Sequence, residues 1–409
     1  MDIQRKKEAD QVKEIVSSYL LRYKRSFPTF IQNDNIMWNL LEDKMKIAGI
    51  RSYIAYKLYT LSGGKNWEKI LGPFLGMIEM SIVSTYATNR IFDQKKYGKE
   101  FEEIVKGIIA SALAREGLYY ILYSNHLSNT FSEIPLWHEI SEIQRWFYLG
   151  QYINSFKIKL PQIIEGEIII DDLPKGFLYV EKEIPSIKFI LQKESFIIDA
   201  NILENFLKNQ FFRLYLINSH FYERIAVISV SIHKKLTEEQ KSLLTGFGAL
   251  YGVGSQIIND IIDFSLPSWK LECLGKTTDD FFNDLKNGLF TFPVFFGYFS
   301  KKQGQIKELL LKLCSSHTVN KNQLTEKQMA KILIFLLDCK AIQLSLKIAS
   351  LFLKRAEYYL EQTSLFEIDS ALRDVFEIVK HSKFIVKMFK WYRNQKKKIS
   401  TRYEKKYFL

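Results

Sequence analysis

The stretch Gly252-Val-Gly-Ser-Gln256-Ile-Ile-Asn259-Asp260-Ile-Ile-Asp263 decides how this chain is read. Its polar residues recur at intervals of three and four, which stacks Gln256, Asn259 or Asp260, and Asp263 on one face of a helix whose intervening positions are Ile. Carboxylates and amides on an apolar helix are costly to bury unless they find partners. Hard oxygen donors of this kind suit Mg²⁺, which takes one or two carboxylates together with waters and phosphate oxygens. An ordinary amphipathic helix with its acidic edge in water shows the same spacing, so the stretch alone leaves both readings open. The sequel, Gly275-Lys276 and then Asp284, adds a cation and a further carboxylate, and 252–293 as a whole reads as a magnesium-diphosphate site.

Outward from this stretch, composition favours helices. In 409 residues there are only 8 Pro and 19 Gly, set among long runs of Leu, Ile, Phe, Lys and Glu, and 47% hydrophobic residues suffice for a large core. The chain reads as mostly α and as one domain over 1–409. The exception is 157–200, where Glu167-Ile-Ile-Ile-Asp-Asp172, Phe177-Leu-Tyr-Val180 and Ile187-Lys-Phe-Ile-Leu191 alternate with turn signals and predict a small strand-rich insertion.

No long uninterrupted apolar run and no signal-peptide core are found, so a cytoplasmic protein is expected. Cys273, Cys314 and Cys339 are too scattered for a disulfide framework or a zinc site, and the histidines lack metal-ligand spacing. The net charge of +13 gathers in a basic tail, 383–409, where cations such as Lys387, Lys390, Arg393 and Lys396 alternate with Phe384, Phe389, Trp391 and Tyr392. That tail reads either as a solvated helix or as a peripheral contact with an anionic membrane. No nucleic-acid-binding module is recognisable, and no nucleic-acid partner is expected.

The 252–263 stretch resembles the second aspartate-rich region of the polyprenyl diphosphate synthases, and Gly275-Lys276 through Asn283-Asp284 to Thr291-Phe292-Pro293 resembles their next block. Two further blocks fall in order. Gly150-Gln151 followed by Asn154 is similar to that family's Gly-Gln helix, with Asn for Asp, and Lys208-Asn209 is similar to its Lys-Thr pair. The resemblance implies the all-α bundle of class I isoprenoid synthases, a homodimer or a heteromer with a related synthase, and a prenyl diphosphate substrate. It implies Mg²⁺ held by Asn89, Asp93, Asn259, Asp260 and Asp263, and diphosphate held by Arg51, Arg90, Lys96, Lys208, Gln256 and Lys276. Asp260, Asp263 and Lys208 take the catalytic roles.

Departures from the family pattern shape the expected function. The first aspartate-rich motif, after Glu79, is here Asn89-Arg90-Ile-Phe-Asp93, which keeps one carboxylate and adds an arginine whose planar fork suits a diphosphate. In the isopentenyl diphosphate pocket Arg51 and Lys96 remain, while a lysine has become Ala48, a histidine Ile82 and an arginine Tyr97. The allylic side is thus better kept than the acceptor side. The leading expectation is an enzyme that ionises an allylic prenyl diphosphate with Mg²⁺ and cyclises it, as terpene synthases do, or prenylates an acceptor other than isopentenyl diphosphate. A conventional chain-elongating synthase and a non-catalytic regulatory subunit are the alternatives.

Overall fold

The computed structural model describes residues 3–33, 38–39, 49–92, 100–124, 136–156, 173–192, 194, 198–269, 281–302, 304–315, 324–376 and 383–407. These form an all-helical fold with no β-strand among them.

The central element is helix Glu238–Ile262. It opens on a capping box, in which the Thr237 hydroxyl accepts from the Gln240 backbone N–H and the Gln240 side chain accepts from the Thr237 N–H. From Gly246 to Gly254 it is buried without a break and carries no charged residue, as an element packed on several sides must be. It packs most extensively against Ala341–Gln362 and also against His220–Ser231. The Gly72–Phe92 and Phe101–Ser124 helices form a second close pair. Two apolar cores result, one around Phe206, Phe211, Leu250, Phe292 and Phe352, the other around Val12, Phe74, Val83, Leu118 and Ile121. Helix His220–Ser231 contributes to both, with Tyr222 and Ala226 in the first and Phe221 and Ile225 in the second.

Helix Ala200–Leu214 does not end at Leu214. It continues through a π turn, Tyr215–Ser219, into His220–Ser231. The wide turn is accommodated by close neighbours without side chains. A Cβ on Gly252 would lie 2.2 Å from the Ser219 Cα, and one on Gly150 would lie 2.8 Å from the Leu216 Cβ. Such turns gather at functional sites, and this one faces the motif that opened the sequence reading.

The strand-rich reading of the insertion is overturned where the structure describes it. Phe177–Glu181 and Ile184–Gln192 are helices. The β-branched and aromatic content suggested strands, but Ile184, Ile187 and Leu191 are spaced by three and four and bury together, a helical period that outweighs β propensity. The Glu167–Asp172 portion lies outside the described residues.

The basic tail, within the described residues, is a helix, Lys383–Tyr407, docked on the body. Phe384, Ile385 and Met388 are buried, Lys387 donates to the Trp269 carbonyl oxygen at 2.6 Å, and Lys396 pairs with Asp338 at 2.8 Å. Burial pushes the Asp338 carboxyl up, but hydrogen bonds from Lys302, Lys396 and Tyr392 outweigh it and hold the group at about 2. A depressed carboxyl stabilises the fold fully above its unfolded value of about 4 and ceases to do so as pH falls through its folded one. Asp338→Asn is therefore expected to loosen this helix at neutral pH, read as faster tryptic cleavage within 383–407. Below about pH 2 the variant and the parent should be cleaved alike by an acid protease. Unchanged cleavage at pH 7 would show that apolar contacts alone hold the helix. No helix among the described residues is long and apolar enough to cross a membrane.

Candidate active site

A cavity of about 200 Å³ opens where Gly72–Phe92, Leu136–Phe156, the π turn and Glu238–Ile262 converge. Asn89 borders it from the first helix, Gln151 and Asn154 from the second, Ile217 from the π turn, and Gln256, Asn259 and Asp263 from the fourth. Asp284, in the short helix Asn283–Lys286, and Arg51, in Ile50–Leu61, close it. Ile82, Tyr86 and Phe147 add apolar wall.

Asp263 stands at the C-terminal end of its helix and turns its carboxylate to the next segment. One oxygen accepts from the Asn283 backbone N–H at 3.1 Å, the other from the Asp284 N–H at 3.2 Å. This fixes Asp284 beside the cavity although Phe282, just before it, has a left-handed backbone at φ 55°. The Phe282 N–H in turn donates to the Asp263 carbonyl oxygen at 2.8 Å.

Asp260 lies one layer deeper. It is fully buried, ion-paired with Arg213, and accepts a hydrogen bond from the Gln256 amide at 3.0 Å. Arg213 is 1% exposed and also donates to the Asn154 side chain at 3.0 Å. The motif thus contains a buried salt bridge, and of its four acidic or amide positions Gln256, Asn259 and Asp263 are the ones on the cavity wall.

Arg51 donates to Asn218 at 2.6 Å and stands over the rings of Phe221 and Tyr222, 5.3 Å from each centroid. Burial pushes the Tyr222 phenol up, against the opposing pull of Arg51, so the ring stays neutral at physiological pH. Asn218 itself donates to the Gly252 carbonyl oxygen at 2.8 Å and to Ser255 at 2.9 Å, which ties the π turn to the central helix.

Among the residues singled out from sequence, the structure brings Arg51, Asn89, Gln256, Asn259 and Asp263 to one cavity. Arg90 is buried against the ring and hydroxyl of Tyr86 and does not border it. Lys208 sits on a partly exposed face, 3.7 Å from Glu204, also away from the cavity wall. Asp93, Lys96 and Lys276 lie outside the described residues. Arg213 was missed by sequence reasoning. Its signal was a lone cation in the apolar run Phe211-Phe212-Arg213-Leu214-Tyr215, which implies a buried anionic partner.

The donor set suits a divalent cation held jointly with phosphate. Asp263 and Asp284 supply two carboxylates and Asn89 and Asn259 supply amides, which matches an ion that keeps much of its shell for water and phosphate. Among the described residues no three His, Cys, Asp or Glu groups gather into a cage that would hold a metal unaided.

This arrangement of helices is the fold of the isoprenyl diphosphate synthases. The chain is similar to the polyprenyl synthase of Caulobacter crescentus, solved with calcium and isoprenyl diphosphate, at 12% identity and a TM-score of 0.60, covering 92% of this chain and 96% of that one. It is similar to the polyprenyl synthetase of Streptomyces coelicolor at 10% identity and a TM-score of 0.57, covering 91% and 98%. The geranylgeranyl pyrophosphate synthase of Lactobacillus brevis follows at 10% and 0.56, covering 90% and 96%. At sequence level no protein-family model and no curated protein matches.

Proposed function

We propose that the cavity binds an isoprenyl diphosphate with Mg²⁺ and ionises it, and that the prenyl group is then cyclised or passed to an acceptor other than isopentenyl diphosphate. The observation that supports this best is that Asn89 shares one cavity with Asn259 and Asp263, so the degenerate first motif and the retained second one, distant in sequence, remain apposed. Ile82 borders the same cavity where the resemblance calls for a histidine on the acceptor side, which argues against isopentenyl diphosphate.

Asp263 and Asp284, with Asn89 and Asn259, would hold the divalent ion, which when bound offsets charge developing on the leaving diphosphate. Arg51 and Gln256 orient the phosphates. Ile82, Phe147 and Ile217 keep water from the reacting carbon.

The test is to incubate the protein with Mg²⁺ and C10 to C20 prenyl diphosphates, with and without isopentenyl diphosphate, recording pyrophosphate and extracted hydrocarbons. Products without isopentenyl diphosphate are expected. Longer diphosphates formed only in its presence would instead make the protein a conventional elongating synthase. Asp263→Ala should lower pyrophosphate release about 10- to 100-fold, the range for loss of a group that orients a metal site. An unchanged rate would remove Asp263 from the site.

A second reading, a subunit that assists a related synthase, is favoured by the Arg213–Asp260 pair, which takes a motif carboxylate away from the cavity. An apolar stripe on helix Phe101–Ser124 supplies a surface for either a homodimer or such a heteromer. Phe101, Val105 and Ile108 are exposed at helical spacing, and Tyr120 and Tyr123 extend the exposed apolar surface toward its end. Ile108→Glu is expected to shift the protein from dimer toward monomer in light scattering. A parent that is already monomeric at micromolar concentration would argue against the homodimer.

A further inference from the structure

Two guanidinium groups border the cavity, and each keeps an unsatisfied donor. Arg213 uses its terminal nitrogens on Asp260 and Asn154, yet its Nε is buried with no hydrogen-bond partner. Arg51 uses Nη2 on Asn218, and its Nε is likewise buried without one. Buried N–H groups are normally paired, and orphaned ones in a charged fork mark a place where an acceptor is missing. Guanidinium is always charged, and its geometry matches phosphate oxygens.

The charge balance points the same way. Around the cavity and directly behind it, the described residues set two guanidiniums, Arg51 and Arg213, against three carboxylates, Asp260, Asp263 and Asp284. One of the three, Asp260, is already matched by Arg213. The other two, Asp263 and Asp284, both border the cavity and are tied together by the Asp284 backbone N–H, which donates to the Asp263 carboxylate. Among these described groups, a single divalent ion there would leave a small positive excess to meet a diphosphate. A second ion at Asp260 would have to displace a buried guanidinium.

We propose that Arg213, assisted by Arg51, is a resident cation standing in for a metal ion at Asp260, so that the pocket holds a diphosphate with one divalent ion, at Asp263 and Asp284. This deepens the function proposed above and rests on it. Small shifts of the two side chains on binding bring their Nε donors to phosphate oxygens. One phosphate is then held by fixed charge and the other by the ion, so the protein binds diphosphate at lower divalent-ion concentrations than a site that must recruit several ions together.

The test is equilibrium dialysis of the full chain against Mn²⁺ and inorganic pyrophosphate, with protein-bound metal and pyrophosphate both counted. One Mn²⁺ per chain is expected at saturation, with pyrophosphate binding rising with Mn²⁺ at a slope near one. The double variant Arg213→Met/Asp260→Leu replaces the buried pair by apolar groups, and its circular dichroism reports folding. It should still take up one Mn²⁺ and should bind pyrophosphate about tenfold to a hundredfold more weakly, the effect of losing one charge-assisted hydrogen bond. Arg51→Gln, at a less buried position, should weaken pyrophosphate similarly without changing the metal count. Two or more Mn²⁺ per chain with pyrophosphate bound would overturn the inference and leave the proposed function standing. So would a folded double variant that binds pyrophosphate as tightly as the parent. No pyrophosphate bound at any Mn²⁺ concentration would overturn both.

Discussion

Arg213→Met is expected to destabilise the protein by about 3–5 kcal/mol, the cost of leaving a buried charge without its partner. Asp260 is fully buried and Arg213 is its ion-pair partner across 47 residues of chain. Removing the guanidinium also strips Asn154 of the hydrogen bond it accepts at 3.0 Å. The paired substitution Arg213→Met/Asp260→Leu should recover most of the loss, because apolar groups of similar volume often replace a buried ion pair at little net cost. Urea unfolding of the parent, the single and the double variant measures both steps. A single variant as stable as the parent would mean that the pair is not formed in solution.

Gly252→Ala should be the second large effect, and it runs against helix propensity. In an open helix the change gains about 1 kcal/mol. Here the added methyl would meet the Cα of Ser219 at 2.2 Å and its Oγ at 2.6 Å, and backbone cannot swing aside as a long side chain can. Either the π turn or the central helix must move, at a cost of roughly 1–3 kcal/mol from overpacking. The displacement would also break the hydrogen bond that Asn218 donates to the Gly252 carbonyl oxygen, and with it the support of Arg51. A drop in thermal midpoint together with weakened pyrophosphate binding is expected. Stability lost with binding intact would show that the strain is absorbed away from the cavity.

How far the sequence could be read depended on the range of the interactions involved. The end of helix Glu238–Ile262 was legible because the three-and-four spacing of Gln256, Asn259, Asp260 and Asp263 is local. The apposition of Asn89 with Asn259 and Asp263 followed from the order of the blocks rather than from chemistry. The helix Ile184–Gln192 was misread since isoleucine and phenylalanine carry a β preference, and its three-and-four spacing was given too little weight. Arg213 could not be placed by spacing at all, as its partner is far along the chain. Lys208 was nominated from the resemblance of Lys208-Asn209 to a Lys-Thr pair, but which way a helical side chain faces is set by what the helix packs on, and here it meets Glu204 rather than the cavity.

The π turn at Tyr215–Ser219 has a bearing on any comparison of this chain with others. One extra residue in a helix advances everything beyond it by about 100°, since an α-helix turns through 360° in 3.6 residues. Lys208 and Arg213 precede the turn, and Phe221 and Tyr222 follow it. An ungapped alignment to a relative with an uninterrupted helix would therefore be in phase on one side only, assigning to the other the faces of its neighbours. Structure-based alignment with a one-residue offset at this turn restores the correspondence.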